Sequence, residues 1–406
     1  MIIYLTLDGL LDPLGRSQIV SYVVPQVKQG LRFHFMSFEK KSRLYGPKVA
    51  DLKRQLKLVG CEWSYVIFHG RKSFVKGALS YLRFIIMVFR VLGSGRADVV
   101  HCRSFPVCFV AVFLRLFFKF KIVLDTRGLW FRERVEASMV RGLSFSCRYY
   151  LAKKVEDFLI ARSSHVIFQT NAGARLALKD SPKNNTKVSI INNTADFDRF
   201  GLVDEQLRIE LKANLGINPE DVCVGYSGSL GFWYLIDEML LFFELFRERF
   251  TKSSFLILTN DDPTVLIDKC SRIDPTLLDR LVIVSAMDND LGGLTSIFDV
   301  SVCFIRPLSS KRASSPTKVG ESLASGVPVI ANKHIGDLEQ QFSQINCGWI
   351  VGDFSRPSLS HLVQRVRVLD SDERKVLRER SFQLFSSKVA ADLYFSVHHS
   401  LCNNLD

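Results

Sequence analysis

Residues 300–332 read VSVCFIRPLSSKRASSPTKVGESLASGVPVIAN. The apolar run Val300–Ile305 predicts a buried strand, the basic run after it predicts a loop, and a helix is expected to begin near Thr317. Gly326 and the apolar run Pro328–Ile330 follow, and the latter predicts the next strand. A strand, a helix and a second strand in this order form the repeating unit of a parallel sheet covered by helices.

The same alternation of short apolar strands and helices extends over the rest of the chain. The further predicted strands are Ile2–Leu7, Phe33–Phe38, Val99–His101, Ile122–Asp125, Val166–Gln169, Val188–Asn192, Val222–Tyr226, Phe255–Thr259 and Leu281–Ser285. Two such runs predict an α/β protein with two Rossmann-like, doubly wound domains that face each other across a cleft. We place the domain boundaries at 1–195, 196–380 and 381–406. The last segment is a helical tail, with Leu384, Val389, Leu393 and Val397 at helical spacing, that packs back on the N-terminal domain.

Positive charge is concentrated in the first half of the chain. Residues 1–195 contain 32 Lys and Arg against 12 Asp and Glu, whereas the remainder contains 22 against 29. A basic half with a net charge of +20 attracts anionic partners, such as nucleic acid, phospholipid headgroups or diphosphate-linked substrates. The alternative is a basic surface that only aids solubility. Aromatic residues are not interleaved with Lys and Arg, which argues against nucleic acid.

The cysteines and the apolar segments bear on the cellular compartment. The nine cysteines form no CxxC pair and no zinc spacing, so buried, reduced thiols and a cytoplasmic protein are expected. The first residues lack the features of a signal peptide. The segments Tyr81–Leu92 and Phe105–Phe120 are too short or too charged to span a bilayer. Each predicts either a core helix or a helix that lies on a membrane surface.

In an open parallel sheet, ligands bind at the carboxyl ends of the strands, so the turns after the strands are the candidate sites. The first turn, Asp8–Gln18, is rich in glycine and leads into a helix, but it lacks the GxGxxG spacing of dinucleotide sites. The second, Ser227–Gly231, consists of small residues that leave space for a diphosphate. Either turn could instead be an ordinary connection.

The third turn, Arg306–Glu321, is the most informative. Ser314 or Ser315 is expected to cap the helix that follows, and the first-turn amides would then converge with Arg306 and Lys318 on an anion. A carboxylate at Glu321 suits a pair of vicinal hydroxyls, such as those of a ribose. The alternative is a capped helix next to a solvated basic loop.

Two further groups of polar residues lie at the ends of predicted strands. His101-Cys102-Arg103 and Asp125-Thr126-Arg127-Gly128 are expected at two strand ends of the first domain, and His101 could equally be a hydrogen-bonded structural histidine. Asp261-Asp262 and Asp288-Asn289-Asp290 lack a supporting cluster of His or Glu. We therefore interpret both pairs as turn residues and predict no metal site.

Five segments, in the same order along the chain, resemble family 4 glycosyltransferases, which are retaining enzymes with the two-domain GT-B fold. SPTKVGESLASGVPVIAN with Gly336-Asp337 resembles the family's donor site, and GYSGSLG resembles its second glycine loop. Asp12–Gln18 is similar to its N-terminal glycine loop, VVHCRS to its strand-end His motif, and IINNTADFDRF to its interdomain segment. The DPLGRSQ, DTRGLW and SPTK versions resemble a bacterial branch that builds surface polysaccharides.

The resemblance implies a role for each matched position. Residues 1–195 would form the acceptor-side domain, and residues 196–380 the domain that binds the nucleotide sugar. Glu321 would bind the donor ribose, Ser315 to Lys318 would hold the diphosphate, Gly228 and Ser229 would line the same pocket, and Gly15 would close over the donor. The implied donor-binding residues are Gly15, Gly228, Ser229, Ser315, Thr317, Lys318 and Glu321, and the candidate catalytic residues are Lys318, Arg306, His101, Arg103 and Arg127.

The chain departs from the family pattern at three points. Ala313 occupies the first position of the usual Glu-x7-Glu pair, which ends at Glu321. Phe232–Ile236 contains no cation where the family often has an Arg and a Lys, so we expect Arg306, Lys311 or Lys318 to supply the charge. Arg103 replaces the second His of the strand-end motif.

We therefore predict a hexosyltransferase that moves a sugar from a UDP- or GDP-linked donor to a glycan or lipid-linked acceptor. The expected setting is bacterial surface-polysaccharide synthesis, of lipopolysaccharide or capsule, with retention and without a metal or other cofactor. The protein is expected in the cytoplasm, where its basic half could contact the anionic inner face of the cell membrane, and no nucleic-acid partner is expected. The alternatives are a sugar-nucleotide epimerase of the same shape, or a non-catalytic basic binding protein.

Overall fold

The computed structural model describes residues 1–12, 15–69, 74–95, 97–138, 142–179, 186–285 and 290–403. The chain forms two compact units, Met1–Asn192 with Ser387–Asp406 and Asn193–Ser386. The division lies after residues 192 and 386, whereas the sequence predicts boundaries after residues 195 and 380. In each unit, helices flank a parallel sheet, as the predicted α/β class requires.

The described residues of the first unit form a parallel sheet of seven strands in the order β3-β2-β1-β4-β5-β6-β7. These strands are β1 (Ile2–Thr6), β2 (Phe33–Lys40), β3 (Glu62–Phe68), β4 (Val99–Arg103), β5 (Lys121–Asp125), β6 (His165–Phe168) and β7 (Lys187–Ile190). The order reverses beside β1, between β2 and β4, and this reversal is the switch point of a doubly wound sheet. Strand β4 extends to Arg103, two residues beyond the predicted strand end at His101.

The helices of this unit are α1 (Ser21–Lys28), α2 (Gly46–Leu58), α3 (Phe74–Leu92), α4 (Phe105–Leu114), α5 (Trp130–Ala137), α6 (Leu143–Arg162), α7 (Asn171–Leu178) and the C-terminal α16 (Ser387–Asn403). A π-helical turn, Arg16–Val20, leads into α1. The C-terminal helix packs on α1 within the first unit, as the sequence predicts. Its residues Tyr394, Val397 and Leu401 join the apolar core.

The tail differs from the single predicted helix, because one residue separates α15 (Ser371–Phe385) from α16. Ser386 between them has an extended backbone, with φ of −82° and ψ of 133°. The predicted apolar face is also partly wrong, because Leu393 is 46% exposed while Ala391 and Tyr394 are buried.

The described residues of the second unit form a parallel sheet of six strands in the order β10-β9-β8-β11-β12-β13. These strands are β8 (Val222–Ser227), β9 (Ser253–Thr259), β10 (Leu281–Ser285), β11 (Val300–Cys303), β12 (Val329–Asn332) and β13 (Gly348–Val351). The helices are α8 (Glu205–Asn214), α9 (Ile236–Arg249), α10 (Thr264–Ile273), α11 (Leu291–Ser296), α12 (Thr317–Ala324), α13 (Leu338–Ile345), α14 (Arg356–Arg365) and α15. Phenylalanines from α9 and from the neighbouring strands fill the core, among them Phe243 and Phe255.

All nine cysteines are free, and seven of them are buried as predicted. Cys147 on α6 is exposed, and Cys402 is half-buried. No helix within the described ranges is long and apolar enough to cross a membrane.

Candidate functional site

The second glycine loop leaves the carboxyl end of β8 in a conformation that requires glycine. Gly228 has φ of 145°, and its N–H donates to the carbonyl of Leu258 at 2.9 Å. A Cβ at this position would lie 2.4 Å from Nζ of Lys318. The loop therefore passes directly over the Lys318 ammonium, and any side chain at Gly228 would displace one of the two.

Asp261, at the end of β9, fixes the rest of this loop. Its carboxylate accepts hydrogen bonds from Oγ of Ser229 at 2.7 Å and from the N–H of Leu230 at 2.6 Å. The Ser229 hydroxyl thus has a partner inside the protein. Asp262 accepts from the N–H of Thr264, which is ordinary turn chemistry.

In the other acidic segment, residues 288–290, the described carboxylate also accepts hydrogen bonds from the backbone. Asp290 accepts hydrogen bonds from the N–H groups of Gly292 and Gly293 and so caps α11, while residues 288 and 289 lie outside the described residues. Among the described residues, no group of three or more His, Cys, Asp or Glu side chains could hold a metal ion.

Helix α12 begins at Thr317, where the sequence predicts it, but no side chain caps it. Pro316 takes the N-cap position, so the predicted cap by Ser314 or Ser315 is wrong. The side chain of Ser315 is used elsewhere, because its Oγ accepts from the N–H of Asn193 at 3.1 Å and its carbonyl accepts from Nδ2 of Asn193 at 2.6 Å. Because no side chain caps the N-terminus of α12, the positive end of its dipole favours an anion there.

Lys318 lies in the first turn of α12, and its ammonium faces aromatic rings. Nζ is 3.7 Å from the ring centroid of Tyr234 and 4.3 Å from that of Tyr226, and it donates to the Tyr226 hydroxyl at 3.1 Å. Burial lowers the pKa of Lys318 to about 8, against weaker upward effects of Cys303 and Glu321. No carboxylate in the described part of the chain forms an ion pair with it.

Glu321 follows one turn later on α12 and is half-buried. Burial raises the pKa of its carboxyl group, while the charges of Lys318 and Arg199 act in the opposite direction. No residue in the described ranges donates a hydrogen bond to this carboxylate. It is an acceptor whose hydrogen-bonding capacity the protein itself leaves available.

Two more cations lie against the segment that follows the second glycine loop. The guanidinium of Arg306 is 4.7 Å from the ring centroid of Phe232, and its Nε donates to the Phe232 carbonyl at 3.1 Å. Nζ of Lys311 is 3.8 Å from the ring centroid of Trp233. Ala313, which stands where the resemblance places a carboxylate, is buried in the turn Ser309–Ala313.

In the first unit, His101 is fully buried in a network of hydrogen bonds. Its Nδ1 pairs with Nε2 of His398 at 2.9 Å, and its ring stacks on Tyr4 with centroids 4.3 Å apart. Its Nε2 lies 3.8 Å from Oδ2 of Asp125. Burial lowers the pKa of His101 more than Asp125 raises it, so the imidazole is neutral at pH 7.

Arg103 and Arg127 both point toward Asp125 and share Gln18 as a hydrogen-bond acceptor. Nη1 of each guanidinium is 3.9 Å from Oδ2 of Asp125, and Nε of Arg103 donates to Asp8 at 3.1 Å. Arg103 and Arg127 each donate from Nη2 to Oε1 of Gln18. Burial works against ionisation of Asp125, but Arg127, His101 and Arg103 outweigh it and lower the pKa to about 2. The structure thus brings the three predicted residues of this domain together around one buried carboxylate.

The first glycine loop depends on a close backbone approach. A Cβ at Gly15 would lie 2.1 Å from the carbonyl oxygen of Gly9, so only glycine fits at this position. Glu39, buried at the end of β2, accepts hydrogen bonds from the N–H groups of Leu10 and Leu11 at 2.7 and 3.4 Å. Pro13 and Leu14 of the predicted loop lie outside the described residues.

Four residues with a part in these sites are absent from the sequence prediction of the sites: Tyr226, Tyr234, Asp261 as a loop-fixing acceptor, and Glu39. Three of them stand at or near the carboxyl end of a predicted strand, which is a usable signal. Tyr234 has none, because only the fold brings it next to Lys318.

Comparison with known proteins bears on the family and on the fold. Residues 45–194 match the family model described as Glycosyl transferase 4-like domain. No curated protein sequence matches significantly. The matched segment covers β3 to β7 of the first unit, and it agrees with the predicted resemblance to family 4.

Solved structures extend the likeness to the whole chain. Sucrose-phosphate synthase from Thermosynechococcus elongatus superposes with a TM-score of 0.73 at 16% identity, over 98% of each chain. Anabaena Alr3699/HepE in complex with UDP and glucose gives 0.69 at 12% identity, over 98% of this chain and 99% of that one. WaaG, a glycosyltransferase involved in lipopolysaccharide biosynthesis, gives 0.66 at 15% identity, over 97% of this chain and 99% of that one.

At these identities the structures establish the fold, and the family model adds the enzyme class. The predicted GT-B fold is confirmed, and the family match favours the predicted glycosyltransferase over an epimerase or a non-catalytic binding protein. Residues 45–194 thus match a glycosyl transferase 4-like domain, and the chain as a whole has the GT-B fold of the solved glycosyltransferases.

Proposed function

We propose that the second unit binds a nucleotide sugar, with UDP as the first candidate, and that the enzyme transfers its sugar to a hydroxyl acceptor. The observation that carries this proposal is the uncapped N-terminus of α12, with the Lys318 ammonium under the second glycine loop and an available carboxylate at Glu321. The helix end and the ammonium suit a diphosphate, and the carboxylate suits the two ribose hydroxyls. HepE was solved in complex with UDP-glucose, and a further neighbour with UDP-2-fluoro glucose.

In the proposed reaction, the bond between the sugar carbon and the diphosphate oxygen breaks, and a bond to the acceptor oxygen forms. The electron pair of the broken bond stays on the diphosphate, which leaves with one more negative charge, and the proton of the acceptor hydroxyl passes to solvent water. Lys318, Arg306 and the amides at the start of α12 stabilise that charge more in the transition state than in the ground state. We propose retention of configuration because the family 4 enzymes that the sequence resembles are retaining.

We further propose that the reaction needs no metal ion. Fixed positive groups at α12 can take the part that a cation would play at a diphosphate. In the first unit, we propose that His101, Arg103 and Arg127 act near the acceptor. Since His101 is fully buried and bonded to His398, its role in this proposal is to position Asp125 and the two arginines.

The acceptor class is proposed from the surface of the first unit. Helix α3 exposes Leu79, Leu82, Ile86 and Phe89 along one face, and Phe89 contacts Phe117, which follows α4, with ring centroids 6.1 Å apart. Exposed basic side chains lie among these apolar ones: Arg83, Arg90, Arg115 and Lys119. An apolar face mixed with Arg and Lys is typical of a helix at a membrane interface. We propose that this surface contacts anionic lipid and that the acceptor is lipid-linked, as in surface-polysaccharide synthesis.

The donor site is tested by thermal stabilisation and calorimetric titration with UDP, GDP, ADP and CMP, with and without magnesium. We expect one uridine or guanosine diphosphate to bind without magnesium. Absence of binding by all four nucleotides would contradict the proposed function. Binding that occurs only with magnesium would contradict the metal-independent mechanism.

The membrane contact is tested by co-sedimentation with vesicles of phosphatidylcholine alone or mixed with phosphatidylglycerol. We expect binding to the anionic vesicles, and loss of binding for a variant with Leu82→Ser and Phe117→Ser. Ile267→Ser is the matched control, because Ile267 is a similarly exposed apolar residue, at 44%, on α10 of the second unit. Equal sedimentation of all three proteins would contradict the assignment of this surface.

A further inference from the structure

The aromatic run Phe232–Tyr234, directly after the second glycine loop, stands where family 4 enzymes often carry an Arg and a Lys. Three cations from a different segment stack on this run in order. The charged groups of Arg306, Lys311 and Lys318 lie 4.7, 3.8 and 3.7 Å from the centroids of its first, second and third ring. Each position of the run therefore has a positive charge beside it, although its own side chains carry none.

The backbone fixes the register of this pairing. Tyr234 forms an antiparallel bridge with Ile305, at the end of β11. The N–H of Arg306 donates to the carbonyl of Trp233 at 2.9 Å, and the N–H of Leu235 donates to the carbonyl of Phe304 at 3.1 Å. The run is therefore tied to the start of the basic segment, and the stacking does not depend on the side chains alone.

Among the described residues, Lys318 stacks on two rings, whereas Arg306 and Lys311 each stack on one. Tyr226 adds a second ring at 4.3 Å and a hydroxyl at 3.1 Å, so two rings and one neutral oxygen surround the ammonium. A ring attracts a desolvated cation without neutralising it, whereas a carboxylate would cancel its charge. The ammonium thus keeps its attraction for an anion that enters under Gly228.

We propose that Tyr226 and the aromatic run Phe232–Tyr234 are positioning residues that hold Arg306, Lys311 and Lys318 at the diphosphate of the donor. This inference rests on the proposed function and adds a specific origin for the positive charge at the donor site. In this proposal, the cations of residues 306–318, which stack on the rings, replace the cations that other family members often carry directly after the second glycine loop.

The arrangement predicts that nucleotide binding is coupled to protonation of Lys318. The titratable groups that face its ammonium are Tyr226, Tyr234, Cys303 and Glu321. Burial raises the pKa of the Tyr226 hydroxyl and raises that of the Cys303 thiol to about 11, so both remain protonated near pH 8. A bound diphosphate favours the charged lysine, and a lysine with a pKa of about 8 would take up roughly half a proton at pH 8.

The test is calorimetric titration of the wild type and variants with UDP, or with GDP if that nucleotide stabilises the wild type. Tyr234→Leu removes the ring, and we expect about thirtyfold weaker binding, the size of a desolvated cation–π contact. Tyr234→Phe keeps the ring and should restore most of the affinity. Phe250→Leu is the matched control, because it removes a ring stacked on Arg249 at 4.8 Å, outside the donor site.

Repeating the titrations at pH 8 in buffers of different ionisation enthalpy measures the proton uptake. We expect uptake by the wild type and none by Lys318→Met, a readout that does not depend on whether Tyr234→Leu folds well. If the wild type binds but Tyr234→Leu binds equally well, or if uptake persists in Lys318→Met, the inference is wrong and the proposed function stands. If the wild type binds no nucleotide, the proposed function itself fails.

Discussion

Replacing Glu321 by Gln removes one negative charge from the proposed donor site with little change in side-chain volume. Within the described residues, the Glu321 carboxylate accepts no hydrogen bond, and burial raises its pKa. An ionised acceptor in such a place costs stability unless a ligand satisfies it. The substitution therefore tests whether this carboxylate is reserved for the nucleotide.

The expected effect on binding follows from the hydrogen bonds that the carboxylate would accept. A hydrogen bond to a charged group contributes about 1.5–3 kcal/mol, and every 1.4 kcal/mol corresponds to a factor of about ten in affinity. Because the amide can still accept one hydrogen bond, we expect binding weaker by about 10- to 100-fold. The wild type should also lose affinity as the pH falls through the raised pKa of Glu321, and the variant should not.

Stability of the nucleotide-free protein should change in the opposite direction. The folded-state pKa of Glu321 lies above the unfolded value, so the contribution of this carboxyl to stability is present below the unfolded pKa. That contribution is lost as the pH rises through the folded pKa. At neutral pH the ionised form is therefore unfavourable, and Glu321→Gln should raise the melting temperature of the free protein.

Calorimetric titration and thermal unfolding of the same protein samples measure both effects. Glu379→Gln on α15 is the matched control, because Glu379 is exposed and lies in the same unit. It should change neither the affinity nor the melting temperature. Unchanged nucleotide affinity in Glu321→Gln, at any pH, would refute the assignment of this residue to the ribose.

Three further predictions concern the two units separately. Gly228→Ala should weaken nucleotide binding and destabilise the second unit by about 1–3 kcal/mol, since the added Cβ meets Lys318 and φ is positive; titration and thermal unfolding would show it. Glu156→Gln should lower the free energy of unfolding in urea by about 3 kcal/mol, because it leaves the buried Arg132 without its charged partner at 2.6 Å. An unchanged unfolding midpoint would contradict this prediction. Asp125 has a folded pKa of about 2, below its unfolded value, so it contributes about 2 kcal/mol of stability above pH 4. This contribution is lost as the pH falls toward 2. The stability of Asp125→Asn, measured by acid unfolding, should not show this decrease.

The sequence predicted every inner strand of both sheets and the edge strands β7 and β10, but it did not predict β3 and β13. Both of these strands lie at an edge of their sheet. Strands in the middle of a parallel sheet are covered on both faces, so each one is a short continuous apolar run that the sequence reveals. Edge strands are partly exposed, and β3 contains Glu62 and Ser64 in its seven residues, which weakens the signal.

In the candidate site, too, the sequence predicted local features and missed a contact between distant residues. Helix α12 begins where its sequence indicates, because Pro316 and the apolar spacing after it are local features. The cap by Ser314 or Ser315 was wrong, because Asn193, 122 residues away in the chain, occupies the side chain of Ser315. A hydrogen bond over that separation leaves no trace in local sequence.

The sequence by itself determined the alternation of strands and helices, the order of the glycine loops and the cation-rich helix start, because each depends on neighbours along the chain. Only the tertiary structure decided which aromatic rings hold Arg306, Lys311 and Lys318, and which buried carboxylate gathers Arg103 and Arg127. Parallel strands place residues far apart in sequence at one sheet edge, and the pairs formed there depend on strand order and side-chain packing. The rings after the second glycine loop thus have cations beside them that come from residues 306–318, a different part of the chain.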